Sequence, residues 1–317
     1  MVRQGAASRS LGGMGGCLLL VLALLGGCSL PPSGYLPKGP EAESGRTFVL
    51  WMLSDIQPQT KAERRFFEQA INDVNGGVVQ VDMAVIAGDL LKSRSRDEDF
   101  AWFRKTRDRS KVRHWFEIAG NHDVRSEPVF SRYFPRPVAY GVEVGNLLLL
   151  LLADTEPSSA TEIPDAAFVW WRDRVVENQQ RLILTVTHGQ LPNSGLLASS
   201  FASRQIVGSE RFEKVLRQTP VAVWASGHTH LPQGLPGTIN IAADLGSTCF
   251  INVSSIDTGP FMDSQSRFFI FREGSDKLLI RSRNHSSGFF DEDLDFVLPL
   301  AKPFVFPDAE PRLILSP

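Results

Sequence analysis

Residues 221–230 read VAVWASGHTH: an apolar run, a glycine, and then His228 and His230, separated by one residue. The apolar run has the length and the β-branched and aromatic content of a buried strand. Two of the six histidines in this 317-residue chain therefore follow directly after a strand end. A single polar residue in such a place usually caps a turn. The rest of the chain decides whether this pair has a chemical role.

Four other short apolar runs also end in polar clusters. They are FVLWML (48–53) before Ser54–Gln57, DMAVIA (82–87) before Gly88 and Asp89, HWFEIA (114–119) before Gly120–Asp123, and RLILTV (181–186) before Thr187–Gly189. Helical patterns over residues 60–74, 164–178 and 209–218 lie between the strands. Strands that alternate with helices predict an α/β fold with a sheet that is at least partly parallel. Such sheets gather ligands beyond the carboxyl ends of their strands.

Because all five clusters follow strands in this way, we predict that their side chains meet in a metal site. The candidate donors are carboxylates, imidazoles and an amide: Asp55, Asp89, Asn121, His188, His228 and His230. Donors of this kind suit Mn, Fe, Zn or Mg ions better than a structural zinc site. Their number exceeds what one tetrahedral ion needs, so we expect two divalent ions. Two ions about 3.5–4 Å apart are typical of enzymes that catalyse in-line displacement at phosphorus.

Taken in order, these motifs resemble the calcineurin-like metallophosphoesterase superfamily, whose pattern is D-x-H, G-D, G-N-H-D/E, a lone H and G-H-x-H. The resemblance covers roughly residues 48–231, and GNHD and GHTH are its specific parts. It implies an α/β fold, a four-layer α-β-β-α sandwich, with a second sheet placed beyond residue 231. It also implies a phosphate-ester substrate, hydrolysed by a water that the two metal ions activate.

The resemblance further implies a role for each residue. Asp55 and His230 would hold the first ion, Asn121, His188 and His228 the second, and Asp89 would bridge them. His122 would act as the general acid or contact the phosphate, and Asp123 is the nearest acid that could orient it.

The chain departs from the family pattern at two places. Gln57 stands where the family usually has a histidine, and its amide oxygen is a neutral, harder and weaker donor than imidazole. Gln57 is therefore either a weak ligand of the first ion or no ligand at all.

The second departure is Lys92, which stands where serine/threonine protein phosphatases carry the second Asp of G-D-x-x-D-R-G. Nor does a G-D-x-x-Y supply the tyrosine ligand of purple acid phosphatases. The preference between monoesters and diesters stays open. Lys92, Arg94, Arg96 and Arg125 lie close in sequence to the metal loops and could hold a phosphate, although solvated charge is the ordinary fate of each.

The N-terminus has the pattern of a secretory signal: Arg3 and Arg9, the apolar run LLLVLALL (18–25) and LGGC, which ends at Cys28. LGGC resembles a bacterial lipobox, which implies removal of residues 1–27 and lipidation of Cys28. An uncleaved anchor helix is the alternative. We expect a tether over residues 28–46, the metallophosphoesterase domain over 47–301, and a C-terminal tail over 302–317. The protein would then be exported and lipid-anchored at the periplasmic face of a bacterial envelope membrane, the outer rather than the inner.

The remaining features of the sequence do not indicate further catalytic or binding residues. A formal net charge of −2 gives no electrostatic case for nucleic acid as a partner. Asp154 is interpreted as a turn cap, and His114 and His285 as surface residues. The strongest rival to an enzyme is a non-catalytic lipoprotein of the same fold that acts as a binding scaffold.

Overall fold

Thirteen strands and six helices make up the regular structure of residues 45–258 and 262–316, which the computed structural model describes. The strands are β1 (Thr47–Leu53), β2 (Met83–Ile86), β3 (His114–Glu117), β4 (Ala139–Val144), β5 (Leu147–Leu152), β6 (Leu182–Thr187), β7 (Val223–Ser226), β8 (Ile239–Ala242), β9 (Thr248–Asn252), β10 (Gln265–Arg272), β11 (Lys277–Asn284), β12 (Phe289–Pro299) and β13 (Arg312–Leu315). The helices are α1 (Arg64–Gly77), α2 (Asp97–Arg107), α3 (Asn121–Val124), α4 (Val129–Tyr133), α5 (Asp165–Glu177) and α6 (Glu210–Leu216). The predicted α/β class is confirmed.

The strands form two sheets. One has the order β12-β11-β10-β1-β2-β3 and the other the order β13-β4-β5-β6-β7-β9-β8. In the first sheet β1, β2 and β3 are parallel, and in the second β5, β6, β7 and β9 are parallel. The five strands that end in polar clusters are therefore divided between the two sheets, three in one and two in the other.

The six consecutive leucines of β5 show how the layers are arranged. Leu147, Leu149 and Leu151 belong to a core shared with strands of the first sheet, such as β1 and β10. The alternate residues, Leu148, Leu150 and Leu152, pack in a second core with residues of α5 and α6. Side chains alternate between the two faces of a strand, so the second sheet is covered by the first sheet on one face and by helices on the other. The predicted four-layer sandwich is confirmed.

Helix α1 begins at Arg64, one turn later than the sequence predicts, and a hydrogen-bonded turn over Thr60–Glu63 precedes it. Thr60 Oγ1 accepts a hydrogen bond from Glu63 N (3.3 Å), and Glu63 Oε2 accepts one from Thr60 N (2.9 Å). This is the reciprocal pattern of a capping box, and Phe67 and Ile71 are buried on the face that follows. Helix α2 is absent from the sequence prediction, although its acidic first turn and basic last turn complement the helix dipole.

The region beyond residue 231 differs from the prediction. It does not supply the second sheet by itself, because that sheet already begins at β4 and gains only β8, β9 and β13 from this region. Strands β10 and β11 form a hairpin that extends the first sheet by pairing with β1, and β12 adds another strand at its edge. In the tail, Phe304 is buried and β13 pairs with β4, so residues 302–316 dock onto the body.

His285 is not a surface residue as the sequence analysis expects. It is 1% exposed, and its ring bonds Asp73 Oδ2 (2.7 Å) and Ser266 Oγ (2.7 Å). The predicted signal segment, the Cys28 lipidation site and the tether up to residue 44 lie outside the described residues. Within the part of the chain that is described, no helix is both long and apolar enough to cross a membrane.

Candidate metal centre

The five polar clusters meet where the carboxyl ends of the two sheets adjoin. Gly227 N donates to His188 O (3.0 Å) within the second sheet, and Asp55 N donates to Gly88 O (3.1 Å) within the first. His228 N donates to Asp55 Oδ2 (2.8 Å) and so joins a loop of one sheet to a loop of the other. The sequence prediction of convergence is thus correct, but the site lies between two sheets instead of at the edge of one.

One half of the site contains Asp89, His188 and His228. Their possible ligand atoms all lie within 4.8 Å of one another, and all three residues are buried. His188 Nε2 is 3.1 Å from Asp89 Oδ2, and the His188 and His228 ring centroids are 4.6 Å apart. Asn121 directly follows Gly120, and its buried Oδ1 atom has no hydrogen-bond partner among residues 45–258 and 262–316. Three of the four residues predicted around the second ion, Asp89, His188 and His228, therefore lie together.

The other half contains Asp55, Gln57 and His230. His230 Nε2 lies 3.1 Å from Asp55 Oδ1 and 2.8 Å from Gln57 Nε2. The structure therefore brings Gln57 to the place where a ligand of the first ion is expected. Rotation of the amide by 180° would exchange its oxygen and nitrogen, so either atom can face the ring.

Backbone carbonyls fix the ring orientation of the two buried histidines. His188 Nδ1 donates to Ala87 O (2.8 Å), which leaves Nε2 as the nitrogen available to a cation. His228 Nε2 lies 2.7 Å from Ser159 O and 2.9 Å from Ser203 O, and donation there leaves Nδ1 available. Metal-binding histidines usually hold their second nitrogen in this way, because it sets the tautomer and the direction of the lone pair.

Several donors of the site have no partner outside it. Within the described part of the chain, five buried atoms of the predicted ligands make no hydrogen bond to a group outside the cluster: Asp55 Oδ1, Gln57 Oε1, Asp89 Oδ2, Asn121 Oδ1 and His188 Nε2. Asp89 Oδ2 meets only His188 Nε2 and Asp55 Oδ1 only His230 Nε2 at close range, both at 3.1 Å. An unsatisfied buried polar atom is costly, and a cation among these donors would satisfy them. Oxygen and imidazole nitrogen atoms without thiolate suit divalent ions of the Mn, Fe, Zn or Mg type. The residues therefore fit a divalent metal centre.

The backbone at the site is strained. Asp55, Asp89, His228 and His230 have φ values of 51°, 55°, 67° and 50° and are half of the eight non-glycine residues with positive φ in the described ranges. That region is unfavourable for side chains with a Cβ, and such strain concentrates at functional sites. A Cβ on Gly227 would lie 1.9 Å from Ser54 Oγ, and one on Gly120 would lie 2.3 Å from Asp89 Oδ1. These two glycines therefore allow the loops to approach the carboxylates.

Charge and burial oppose each other in the cluster. Burial favours the neutral carboxyls, yet the neighbouring histidines hold the pKa of Asp55 and of Asp89 below the usual value. Burial lowers the pKa of His188, but the carboxylates of Asp89 and Asp55 outweigh it and raise that pKa to about 10. Burial and the charge of His188 lower the pKa of His228 to about 4. The two carboxylates thus create a strong local preference for positive charge, which a proton or a cation can satisfy.

His122 faces the same space and is held by a residue that the sequence analysis misses. Its Nε2 lies 4.0 Å from Asp89 Oδ2, and its side chain is 29% exposed. Ser93 N donates to His122 Nδ1 (3.3 Å), and Ser93 Oγ lies 2.9 Å from the same atom. A donated bond makes Nδ1 the acceptor and places the ring proton on Nε2, toward the site. No motif marks Ser93 in the sequence, because its contact depends on the path of the loop after β2.

Asp123 does not orient His122. Its buried carboxylate accepts hydrogen bonds from the backbone nitrogens of Leu90, Leu91 and Gly120, at 3.0–3.2 Å. Burial, together with the charge of Asp89, raises the pKa of Asp123 to about 8. Asp123 therefore holds the loops that carry Asp89 and Asn121, and the proposed orienting role passes to Ser93.

Two further acids border the site. Asp154 Oδ1 accepts hydrogen bonds from Glu156 N (3.2 Å) and Glu162 N (3.0 Å), which confirms its interpretation as a turn cap. Asp257, which the sequence analysis misses, donates its backbone N–H to Asp55 O (2.8 Å). Burial raises the pKa of its carboxyl to about 6, against the charge of His230. Only the fold brings Asp257 beside the first half of the site.

The geometry agrees with comparisons to known proteins. The family model described as calcineurin-like phosphoesterase matches residues 48–232, more than half of the chain. No curated protein matches the chain. Among solved structures, a purple acid phosphatase from seeds of yellow lupin (Lupinus luteus) is similar, with a TM-score of 0.58 and 13% identity over 81% of this chain and 54% of the plant chain. The chain therefore spans about half the length of that enzyme.

A second similar structure is GAP50, the anchor in the inner membrane complex of Plasmodium. It has a TM-score of 0.55 and 12% identity, over 81% of this chain and 90% of that one. At these identities the two likenesses show a shared fold and nothing further about activity.

Proposed function

The chain belongs to the calcineurin-like phosphoesterase family, and from this premise we propose that it hydrolyses phosphate esters with two divalent cations. The first cation would be held by Asp55, Gln57 and His230, the second by Asn121, His188 and His228, and Asp89 would be shared. The observation that carries the proposal is a cluster of buried carboxylate, imidazole and amide donors, five of whose atoms make no hydrogen bond outside the cluster within the described residues.

The protein's own groups account for binding and proton transfer. When bound, divalent cations draw electron density from phosphoryl oxygens and lower the pKa of a coordinated water. Asp55 and Asp89 neutralise part of that charge and leave a positive field for the substrate phosphate. His122 directs Nε2 toward the same space, where its N–H can donate to a phosphate oxygen or pass a proton to the leaving oxygen. Ser93 keeps the proton on that nitrogen.

Hydrolysis of a generic aryl phosphate tests the proposal directly. Purified residues 29–317 with added manganese should release the phenol, and a panel of aryl monoesters and diesters should show which ester type is preferred. Asp89→Asn, prepared in parallel, should lose activity by at least about a thousandfold, which excludes a contaminating phosphatase. Protein that is fully loaded with metal and turns over no ester would contradict the enzyme.

A binding scaffold is the second candidate. The presence of Gln57 in place of the family histidine favours it. A scaffold would bind metal with normal stoichiometry and still show no turnover. The aryl phosphate assay therefore separates the two candidates.

For the cellular location we propose a lipid anchor on Cys28 and the periplasmic face of an outer membrane. The support is the LGGC motif and the apolar run that precedes it. In a bacterial host, labelled fatty acid should be incorporated into the wild-type chain but not into Cys28→Ser. Lipid on the variant, or wild-type protein that stays in the cytosol, would contradict the anchor.

A further inference from the structure

A basic cavity lies beside the proposed metal centre. It has a volume of about 320 Å³, and five of its nine lining residues are lysine or arginine while two are acids. The basic residues are Lys61, Arg64, Lys92, Arg94 and Arg96. Such an excess stands out in a chain whose formal net charge is −2. The cavity therefore has the charge of an anion site.

Most of these cations are not neutralised by the protein. Arg64 is paired with Asp99 (2.5 Å). In contrast, Lys61, Arg94 and Arg96 form no side-chain ion pair with any residue in the described ranges. The ammonium of Lys92 donates to a neutral group, the Gln59 carbonyl (2.9 Å). Their charge is therefore available to a ligand.

The loop that carries Lys92, Arg94 and Arg96 is held in place. Ser95 N donates to Ser126 Oγ (3.0 Å), and Ser95 Oγ donates to the Lys92 carbonyl (2.8 Å). Arg94 has a φ of 62°, a conformation that persists only where the surroundings enforce it. The arginines thus project from a fixed backbone, so less conformational entropy is lost when they bind an anion.

The wall of the cavity continues into the site. Pro58 lines the cavity and directly follows Gln57, while Lys92 directly precedes Ser93, which contacts His122. Consecutive Cα atoms are about 3.8 Å apart. The cavity therefore borders the loops that carry Gln57 and Ser93, on the side toward which a small substrate with one phosphoryl group at the metal donors would extend a second group.

We propose that the cavity binds a second phosphate of the substrate, so that the preferred substrates are small bisphosphorylated esters. The planar, forked guanidinium of arginine matches phosphate oxygens in pairs, and Arg94 and Arg96 supply two such groups. The choice of substrate rests on the proposed function, whereas the binding of an anion in the cavity does not.

The first test compares butane-1,4-diol bisphosphate, whose two phosphate esters are equivalent, with butane-1,4-diol monophosphate, with manganese present. Wild-type kcat/KM should be at least about tenfold higher for the bisphosphate. Arg94→Gln combined with Arg96→Gln should reduce that ratio to about two, the factor expected from two equivalent esters. Arg109→Gln removes one exposed positive charge beyond the far end of α2 and should leave the ratio unchanged. A wild-type ratio near two, or an equal loss on both substrates in the double variant, would overturn the proposal.

The second test measures binding without catalysis. Inorganic phosphate is titrated into the chelated, metal-free protein at low salt, where the double variant should bind at least about tenfold more weakly than wild type or Arg109→Gln. If phosphate binding depends on the arginines and no ester is hydrolysed, the proposed function is wrong but the cavity is still an anion-binding site. If aryl phosphates are hydrolysed but the double variant binds phosphate as wild type does, the second-phosphate site is wrong.

Discussion

The two halves of the proposed metal centre differ in how firmly the protein holds their donors. In the half with His188 and His228, both rings are buried and each is fixed by a bond to a backbone carbonyl. In the other half, the His230 side chain is 28% exposed, and its Nε2 meets the carboxylate of Asp55 and the amide of Gln57. Ligands fixed in advance bind more tightly. The half with His230 should therefore hold the weaker, more exchangeable cation.

The largest expected effect comes from removing a histidine on either side. His228→Ala and His230→Ala should each reduce kcat with aryl phosphate by at least about a hundredfold, because each removes a ligand from a centre that acts as a unit. His228→Ala should also lower the affinity for the tighter cation, which metal titration would show. His114→Ala removes a partly exposed histidine paired with Glu310 and serves as the control. Wild-type turnover in both site variants would refute the assignment.

A smaller and selective effect is expected at Gln57. Gln57→Ala should weaken one cation by about tenfold and leave the other bound, since a neutral amide is a weak donor. Gln57→His should tighten that cation and shift preference toward zinc, because imidazole is softer. Metal content and affinity are measured for all three proteins, with turnover recorded separately. If Gln57→Ala retained both cations at wild-type affinity, Gln57 would not be a metal ligand.

Ser93 allows a test that leaves both halves intact. Ser93→Ala should lower kcat by about fivefold with little change in KM, because a hydrogen bond worth about 1 kcal/mol no longer orients His122. Ser93→Thr keeps the hydroxyl and should restore most of the rate. Equal kcat for Ser93→Ala and wild type would show that a group other than Ser93 orients His122.

The smallest expected effect concerns stability, and it comes from His285, a buried histidine outside the site. Both nitrogens of His285 have partners away from the site, Asp73 and Ser266, whereas Nε2 of His188 faces the proposed metal ligand Asp89 (3.1 Å). Burial lowers the pKa of His285. The folded state then binds its proton less readily than the unfolded state, so stability falls as the pH drops below about 6.5.

The size of this effect is bounded. From pH 6.5 to 5.5 one such group can remove at most about 1.4 kcal/mol of unfolding free energy. His285→Gln should have a shallower fall than wild type in denaturant titrations of chelated protein and should bind metal normally. His114→Gln should keep the wild-type slope. An identical slope for His285→Gln and wild type would show that His285 does not contribute.

The sequence predicts that the donor side chains of the site converge, because each of them follows the end of a strand. Apolar runs such as 48–53 and 221–225 have the length and the β-branched or aromatic content of buried strands, and a parallel strand places the residue after its carboxyl end at the same edge as its neighbours. The arrangement in two sheets is not visible in this pattern, because a buried parallel strand looks the same in either sheet. Sequence analysis therefore predicts the four layers only through the family resemblance.

The finer contacts depend on loop paths that the sequence does not specify. Asp55, Asp89, His228 and His230 adopt positive φ values, which turn each side chain in a direction that a regular strand or turn would not give. Asp123 is adjacent to His122 in sequence, yet its carboxylate points back to Gly120 and Leu90, and Ser93 from another loop reaches the ring. Proximity along the chain is a poor guide to hydrogen bonding in such loops.

Metal counting tests the central claim most directly. Residues 29–317, reconstituted with manganese and freed of excess metal, should retain close to two ions per chain. Stepwise chelation should remove one ion well before the other, and Gln57→His should delay that first loss. One ion per chain in wild type, or two ions that leave together and do not respond to Gln57→His, would contradict a centre with two unequal halves.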